Sequence, residues 1–448
     1  MQNSNYDYDT VVIGGGFAGV RACRDLSEQG YSVLLLEARD RLGGRTWSKH
    51  SKVGVFEGTV ELGGQWVWPD RQVNMMAEIK RYGLTLTRSA TPESYPSYVA
   101  GVHNPGPLPV PLEDIYDFER AAFALLTDAH RISPGIPLDQ QNVGDLDIPY
   151  GQYLDALGVS PATRGWFTFF GSVFTARYPE EISALGPLTF IAQMEHSLIR
   201  AWGILDEYLV EGTGALIGAM ASDSHADIRF ETPVANVTQN ADGVTVTTAA
   251  GNVFTARTAV VATPLATWAD IDFDPPLSEA KSSASRERHM AYPVKVLMQV
   301  NNAPRFPYLL ADPDNAGGAI LLVAEQELDQ GGQMMTGFYV NHLEREDSFG
   351  TDFAGVERFL KTLCPEAELV DFQCHEWATD PWARGFVAYK PGRLSKSHTE
   401  LAAPQERVFF ATADIATTFM TWMEGALESG KKAAVDAHRH MAQPASNP

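Results

Sequence analysis

Cysteine is nearly missing from this chain: Cys23, Cys364 and Cys374 are the only three in 448 residues. No two of them have C-x-x-C spacing, which excludes a disulfide framework and a cysteine-held metal and leaves them as small buried side chains. Basic residues are scarce beside acidic ones, 34 against 56, for a formal net charge of -22. An acidic surface of that size disfavours nucleic acid and anionic membrane as partners and mildly attracts cations. No apolar run is long enough to cross a bilayer, and neither a secretory leader before Tyr8 nor a hydrophobic tail is seen, so a soluble, cytoplasmic protein is expected. Internal repeats are lacking, as is any compelling Ser-His or His-Asp arrangement for acid–base work. The length exceeds one simple core and suits two domains.

What is present is concentrated at the start. Val11, Val12 and Ile13 form a β-branched run suited to a strand buried on both faces, and Gly14, Gly16 and Gly19 follow in G-x-G-x-x-G spacing. Gly14 permits the tight turn, Gly16 lets a pyrophosphate approach the backbone, and Gly19 lets a helix pack closely on the strand. That helix opens with Phe17 and Ala18, carries Ala22 and Leu26 on an apolar stripe and stops at Gly30, so its first turn offers unpaired N–H groups to phosphates. Residues 32–36 make a second buried strand ending at Glu37, about 20 residues past the glycines, where an acid accepts hydrogen bonds from a ribose. Ala38 and Arg39 follow directly beside it. Strand, helix, strand and acid all fall where dinucleotide binding needs them, and the acid disfavours a 2′-phosphate.

The continuation Arg41-Leu42-Gly43-Gly44-Arg45-Thr46, then GGQWVW at 63–68, resembles the FAD-dependent amine oxidases of the flavin monoamine oxidase type. The resemblance implies that Gly44 and Arg45 reach the FAD diphosphate and that Gly64, Gln65 and Trp66 line the flavin. It extends to ETPV, where Val234 stands at the position that meets the adenine. In ATADIA the family's acid is kept as Asp414, while the usual glycine before it is Ala413. It ends in MEGALESG, where Met423 opens a helix whose positive end would lie under the flavin pyrimidine ring.

Along the chain, helical patterning runs through 115–132, 150–157, 161–174 and 185–202, then a glycine-entered helix at 212–223. Short strands follow, with Asp242-Gly243 as a hairpin turn. Strand-like runs at AYPVKVLMQV, GAILLVA, QMMTGFYV and QCHEW enclose a helix at FAGVERFLKTLC. The expected fold is α/β: a Rossmann-like FAD-binding domain of the glutathione-reductase type, formed by 1–85, 205–280 and 391–448, interleaved with a substrate domain of mixed sheet and helices, 86–204 and 281–390.

Three groups would carry the chemistry. Alternation in the strand puts Val294, Val296 and Met298 on one face and Lys295 on the other. A strand lysine ordinarily faces solvent; the resemblance instead implies that Lys295 holds a water near flavin N5. Two aromatic rings commonly flank the substrate nitrogen in this family. Trp422 matches one position, and a one-residue deletion leaves Phe386 or Val387 for the other; Trp377 and Trp382 read as structural. His196, Phe170 and Trp202 are candidate cavity linings, and no cysteine near Phe386 implies a non-covalent flavin. The helical insert is similar to bacterial 6-hydroxynicotine oxidases more than to the mammalian enzymes. The resemblance therefore implies oxidation of a C–N bond by hydride transfer to FAD, giving an imine that water hydrolyses. Partners would be a small amine, cyclic or alkaloid-like, and oxygen as acceptor, in a homodimer. A desaturase on the same scaffold and a non-catalytic flavoprotein remain the alternatives.

Overall fold

A computed structural model of the chain describes residues 6–443, except 204, 290, 343, 344 and 347. The opening strand Tyr8–Ile13 lies at the centre of the first sheet, parallel to Val33–Leu36 on one side and to Val253–Val261 on the other. Its register, Val11 against Leu34 and Ala259, Val12 against Leu35 and Val260, aligns fully buried β-branched and aliphatic residues, which a parallel sheet covered on both faces requires. Asp227–Arg229 and Val408–Phe410 extend the parallel part. The hairpin Val234–Gln239 and Val244–Thr248 joins antiparallel to the first half of Val253–Val261. Asp242-Gly243 lies in its turn, and the Asn240 side chain accepts from the backbone N–H of both.

Two helices cover one face of this sheet. Phe17–Glu28 and the C-terminal Met423–Ala442 cross where both are stripped to small residues: a Cβ on Gly430 would fall 2.2 Å from the Ala18 carbonyl oxygen. The starts of both helices, Phe17 and Met423, line one cavity beside the parallel sheet, where ligands of such sheets collect.

The second sheet is antiparallel over Pro293–Asn301, Gln333–Val340, Ala319–Glu327 and Tyr308–Ala311, with Glu368–Glu376 on its far edge. The strands Ser97–Val99 and Val102–Asn104, which residue patterning did not reveal, extend the opposite edge. Helix Phe353–Leu363 packs its apolar face on it. The insert supplies helices Ile115–Ala129, Tyr150–Ala156 and Pro161–Thr175. The single helix expected over 185–202 is two: Leu185–Gln193 ends, Glu195 and His196 take left-handed backbone (φ +56° and +55°), and Leu198–Trp202 starts afresh under Ser197, whose hydroxyl caps the Arg200 N–H.

Candidate active site

Between the two sheets lies a cavity of about 350 Å³. It begins at the glycine turn. Gly14 has φ +105°, and a Cβ there would meet the Ala262 carbonyl oxygen at 2.9 Å, so the turn accepts only glycine. A Cβ on Gly19 would stand 2.0 Å from the Gly14 oxygen. Gly19 thus packs helix on strand and does not line the cavity, whereas Gly14, Gly16, Phe17 and Ala18 do. Gly16 approaches Gly43 and Gly44 backbone to backbone, leaving a bare cradle in front of the helix's unpaired first-turn N–H groups.

Glu37, Ala38 and Arg39 line the same end. The Glu37 carboxylate accepts the Gly15 N–H at 2.6 Å and the Arg39 N–H at 2.8 Å, fixing it at the strand terminus. Val234 lies on this side too. Arg45 lines the middle, its guanidinium donating to Asp414 at 2.6 Å and to the Thr412 hydroxyl at 3.3 Å. Asp414 is fully buried and accepts also from the Leu265 N–H at 3.0 Å. The structure therefore moves Asp414 off the cavity surface: it aims Arg45 and does not face the space itself.

At the other end Gly64, Gln65, Trp66, Met423, Trp422, Phe386 and Lys295 converge. Lys295 is 2 % exposed, the opposite of an ordinary strand lysine. Its ammonium donates to Gln65 Oε1 at 2.6 Å and to the Gly63 carbonyl at 3.1 Å, and lies 4.7 Å from the Trp66 ring centre. Burial pushes its pKa down to about 8, opposed by the negative charges of Glu325 and Glu61. Gln65 is itself held: its amide donates to Glu325 Oε1 at 3.3 Å, which also takes the Thr336 hydroxyl at 2.7 Å.

Of the two candidates for the second ring, Phe386 faces this cavity, while Val387 faces a smaller one beside it. Trp377, tied by its N–H to the Leu62 carbonyl at 2.8 Å, and Trp382 both reach the cavity wall, which their structural reading did not anticipate. His196 and Phe170 are not part of it. His196 stacks on His130 at 4.4 Å, and Phe170 lies buried against Trp166. The Trp202 side chain lies outside the described residues. The walls that residue patterning missed are Val173, Phe174, Leu205, Ile320, Leu321 and Phe338. Phe338 stands opposite Lys295 in the sheet, a pairing that the strand-like runs by themselves did not reveal.

The profile of flavin containing amine oxidoreductases matches residues 17–438. This chain belongs to that family. The oxidoreductase is 32 % identical over 97 % of its length to (S)-6-hydroxynicotine oxidase of Paenarthrobacter nicotinovorans, all of which is covered. It is 31 % identical over 96 % of its length to pseudooxynicotine dehydrogenase of a Pseudomonas species, 86 % of which is covered. In fold it is similar to cyclohexylamine oxidase from Brevibacterium oxydans IH-35A, with TM-score 0.82, 23 % identity, and 98 % and 100 % of the two chains covered. Putrescine oxidase bound to putrescine gives TM-score 0.83 at 22 % identity, with 96 % and 99 % covered.

The family's cofactor is FAD, and the cavity fits it. Two helix N-termini without side-chain caps and the Arg45 and Lys295 cations suit an anionic dinucleotide, and the glycine cradle has no Cβ in the way. The oxidoreductase also has no helix among its described residues long and apolar enough to cross a membrane.

Proposed function

We propose that segments 1–85, 205–280 and 391–448 hold FAD and that 86–204 and 281–390 enclose the substrate, a cyclic or alkaloid-type amine such as a hydroxynicotine. The observation that carries the reading is Lys295, sealed between Gln65 and Gly63 at the edge of an aromatic chamber. The identities to nicotine-class relatives support the substrate class.

Bound at this site, FAD supplies the electron sink that takes the hydride from the carbon next to the amine nitrogen. Gly14, Gly16, Phe17, Ala18, Gly44 and Arg45 would hold its diphosphate, Glu37 with Ala38 and Arg39 its ribose end, Val234 its adenine, and Gly64, Gln65, Trp66 and Met423 its ring. None of the cavity-lining residues is a cysteine, which supports a non-covalent flavin. Trp422 and Phe386 orient the amine between apolar faces. The neutral amine is the reacting form, because a buried ammonium at Lys295 repels a second cation. Lys295 has three N–H donors and spends two inside the chain, leaving one for a water. That water serves imine hydrolysis or the return of electrons to oxygen.

The same reading makes the protein a cytoplasmic homodimer. The apolar side chains of Leu112, Tyr116 and Phe123, 75 %, 74 % and 74 % exposed, support a self-contact, which light scattering tests.

The deciding experiment is an anaerobic titration of the flavin spectrum with hydroxynicotines, cyclic secondary amines and aliphatic primary amines. Bleaching by the first class is the expected result. Bleaching by primary amines alone refutes the substrate class, and a spectrum that no amine bleaches refutes the reaction.

A further inference from the structure

Beside the main cavity lies a side pocket of about 60 Å³, which shares Phe174, Thr421 and Trp422 with it. One wall is the helix Leu185–Gln193, LGPLTFIAQ, which is apolar but for two residues. Thr189 and Gln193 stand one turn apart, hence on one helix face, and both line this pocket with Gly186 and Phe190 between and below them. They are 7 % and 4 % exposed. The Thr189 hydroxyl has no hydrogen-bond partner. Of the other polar side chains on the wall, Thr175 donates to the Gly171 carbonyl, Ser183 to Asp147 and Tyr389 to the Asp414 carbonyl, while Thr421 belongs to the wall shared with the main cavity.

A buried hydroxyl without a partner is costly unless something that enters the pocket supplies one. The volume is several times the roughly 10–15 Å³ that one water needs, so a small ligand group fits. No charged residue is among the described residues that line the pocket, which disfavours a carboxylate or an ammonium there. A hydroxyl and a carboxamide each donate and accept, so their complement is a neutral group that does both.

We infer that the substrate carries a neutral hydrogen-bonding edge, a ring hydroxyl or its lactam form, on the side away from the oxidised carbon, and that Thr189 and Gln193 receive it in this pocket. The inference rests on the amine-oxidising reading of the main cavity and narrows its substrate to one polar at its far end. Trp422 lines both the main cavity and the pocket, and Phe190, also in the pocket wall, stacks on it at 5.7 Å.

The test uses the FAD-loaded protein in two ways. Crystals soaked in 2-hydroxypyridine are expected to show the ring within hydrogen-bond distance of Thr189 and Gln193; ordered water alone in the pocket overturns the inference. Anaerobic flavin reduction by nicotine and 6-hydroxynicotine is expected to show a preference for the hydroxylated amine, which Thr189→Val narrows about tenfold, the worth of one neutral hydrogen bond. Thr189→Ser should restore it. A wild-type protein that both amines reduce without the preference, or a variant that keeps it, also overturns the inference. If neither amine reduces the flavin while hydroxypyridine still occupies the pocket, the nicotine-like substrate is wrong and the polar subsite stands.

Discussion

Lys295 shows what sealing one cation does. Burial holds its pKa at about 8, below the ordinary 10.5, and the carboxylates of Glu325 and Glu61 keep it from falling further. Below about pH 8 the folded protein bears the full cost of a buried ammonium. From there to about 10.5 the unfolded chain binds the proton and the folded one does not, so Lys295's share of stability rises with pH. A pH profile of flavin reoxidation should therefore show a step near 8 that Lys295→Met abolishes. Glu325→Gln removes a favourable charge and should move that step to lower pH; a step that stays in place rules out the Glu325–Gln65–Lys295 chain as its source. The methionine variant is expected to slow reoxidation by about 100-fold, the scale of a misplaced reacting group, and reduction by less. Stopped-flow measurement of both half-reactions decides this, and equal losses count against a water-positioning role. Strand alternation alone reads Lys295 as solvent-facing, and it was the resemblance to the amine oxidases that marked it. The sequence could not show that the Gly63–Gln65 turn closes over Lys295, because that contact joins residues 230 apart. The same distance hid Phe174 and misdirected attention to His196 and Phe170, whose aromatic character alone says nothing of which wall they join.

Helix against helix, the two N-termini at the cavity depend on one crossing. Gly430→Ala would force the C-terminal helix from the Ala18 carbonyl, and both Phe17 and Met423 line the cavity at the starts of the displaced helices. The expected loss is about 1–3 kcal/mol of stability, as for overpacked interiors, together with weaker FAD retention. Thermal denaturation and the flavin-to-protein absorbance ratio measure the two, and a variant that keeps full flavin content would refute the coupling. Elements built from neighbours in sequence were the legible ones: the strand, glycine turn, helix and strand of residues 8–36, and the strand that carries Lys295. Among the helices that were read from the sequence, the break at Glu195 and His196 was missed, and the helices Val73–Tyr82, Glu279–Glu287 and Leu394–Ala402 were not read at all. The cue to the break was local, Ser197 with Arg200 three residues on, but an unbroken apolar pattern on both sides masked it.

For the molecule as a whole, FAD is a ligand of the folded state alone, so removing it must destabilise the chain by mass action. At a free FAD concentration 100 times its Kd the contribution is about 2.7 kcal/mol. Apoprotein should melt several degrees lower than the FAD-loaded form, and the gap should widen with added FAD. A melting temperature that ignores FAD would show that the cofactor is no part of the folded state. Each change of texture along the chain, from helices to short strands and back, was visible in the residues and is what the proposed interleaving of segments rests on. The pairing of 97–104 with a sheet otherwise made from 293–376 was not, since two three-residue strands carry too little pattern to announce a partner two hundred residues away.

The cavity lining runs from Ile13 to Ala426, nearly the whole length of the chain. During synthesis the glycine turn emerges long before the helix that completes the flavin end. A ribosome-bound chain has half a grip on its cofactor, and a message broken anywhere before the codon for Met423 encodes a protein without the second. Loading of FAD therefore waits for that helix, and the yellow colour of the product should report chains translated past Met423.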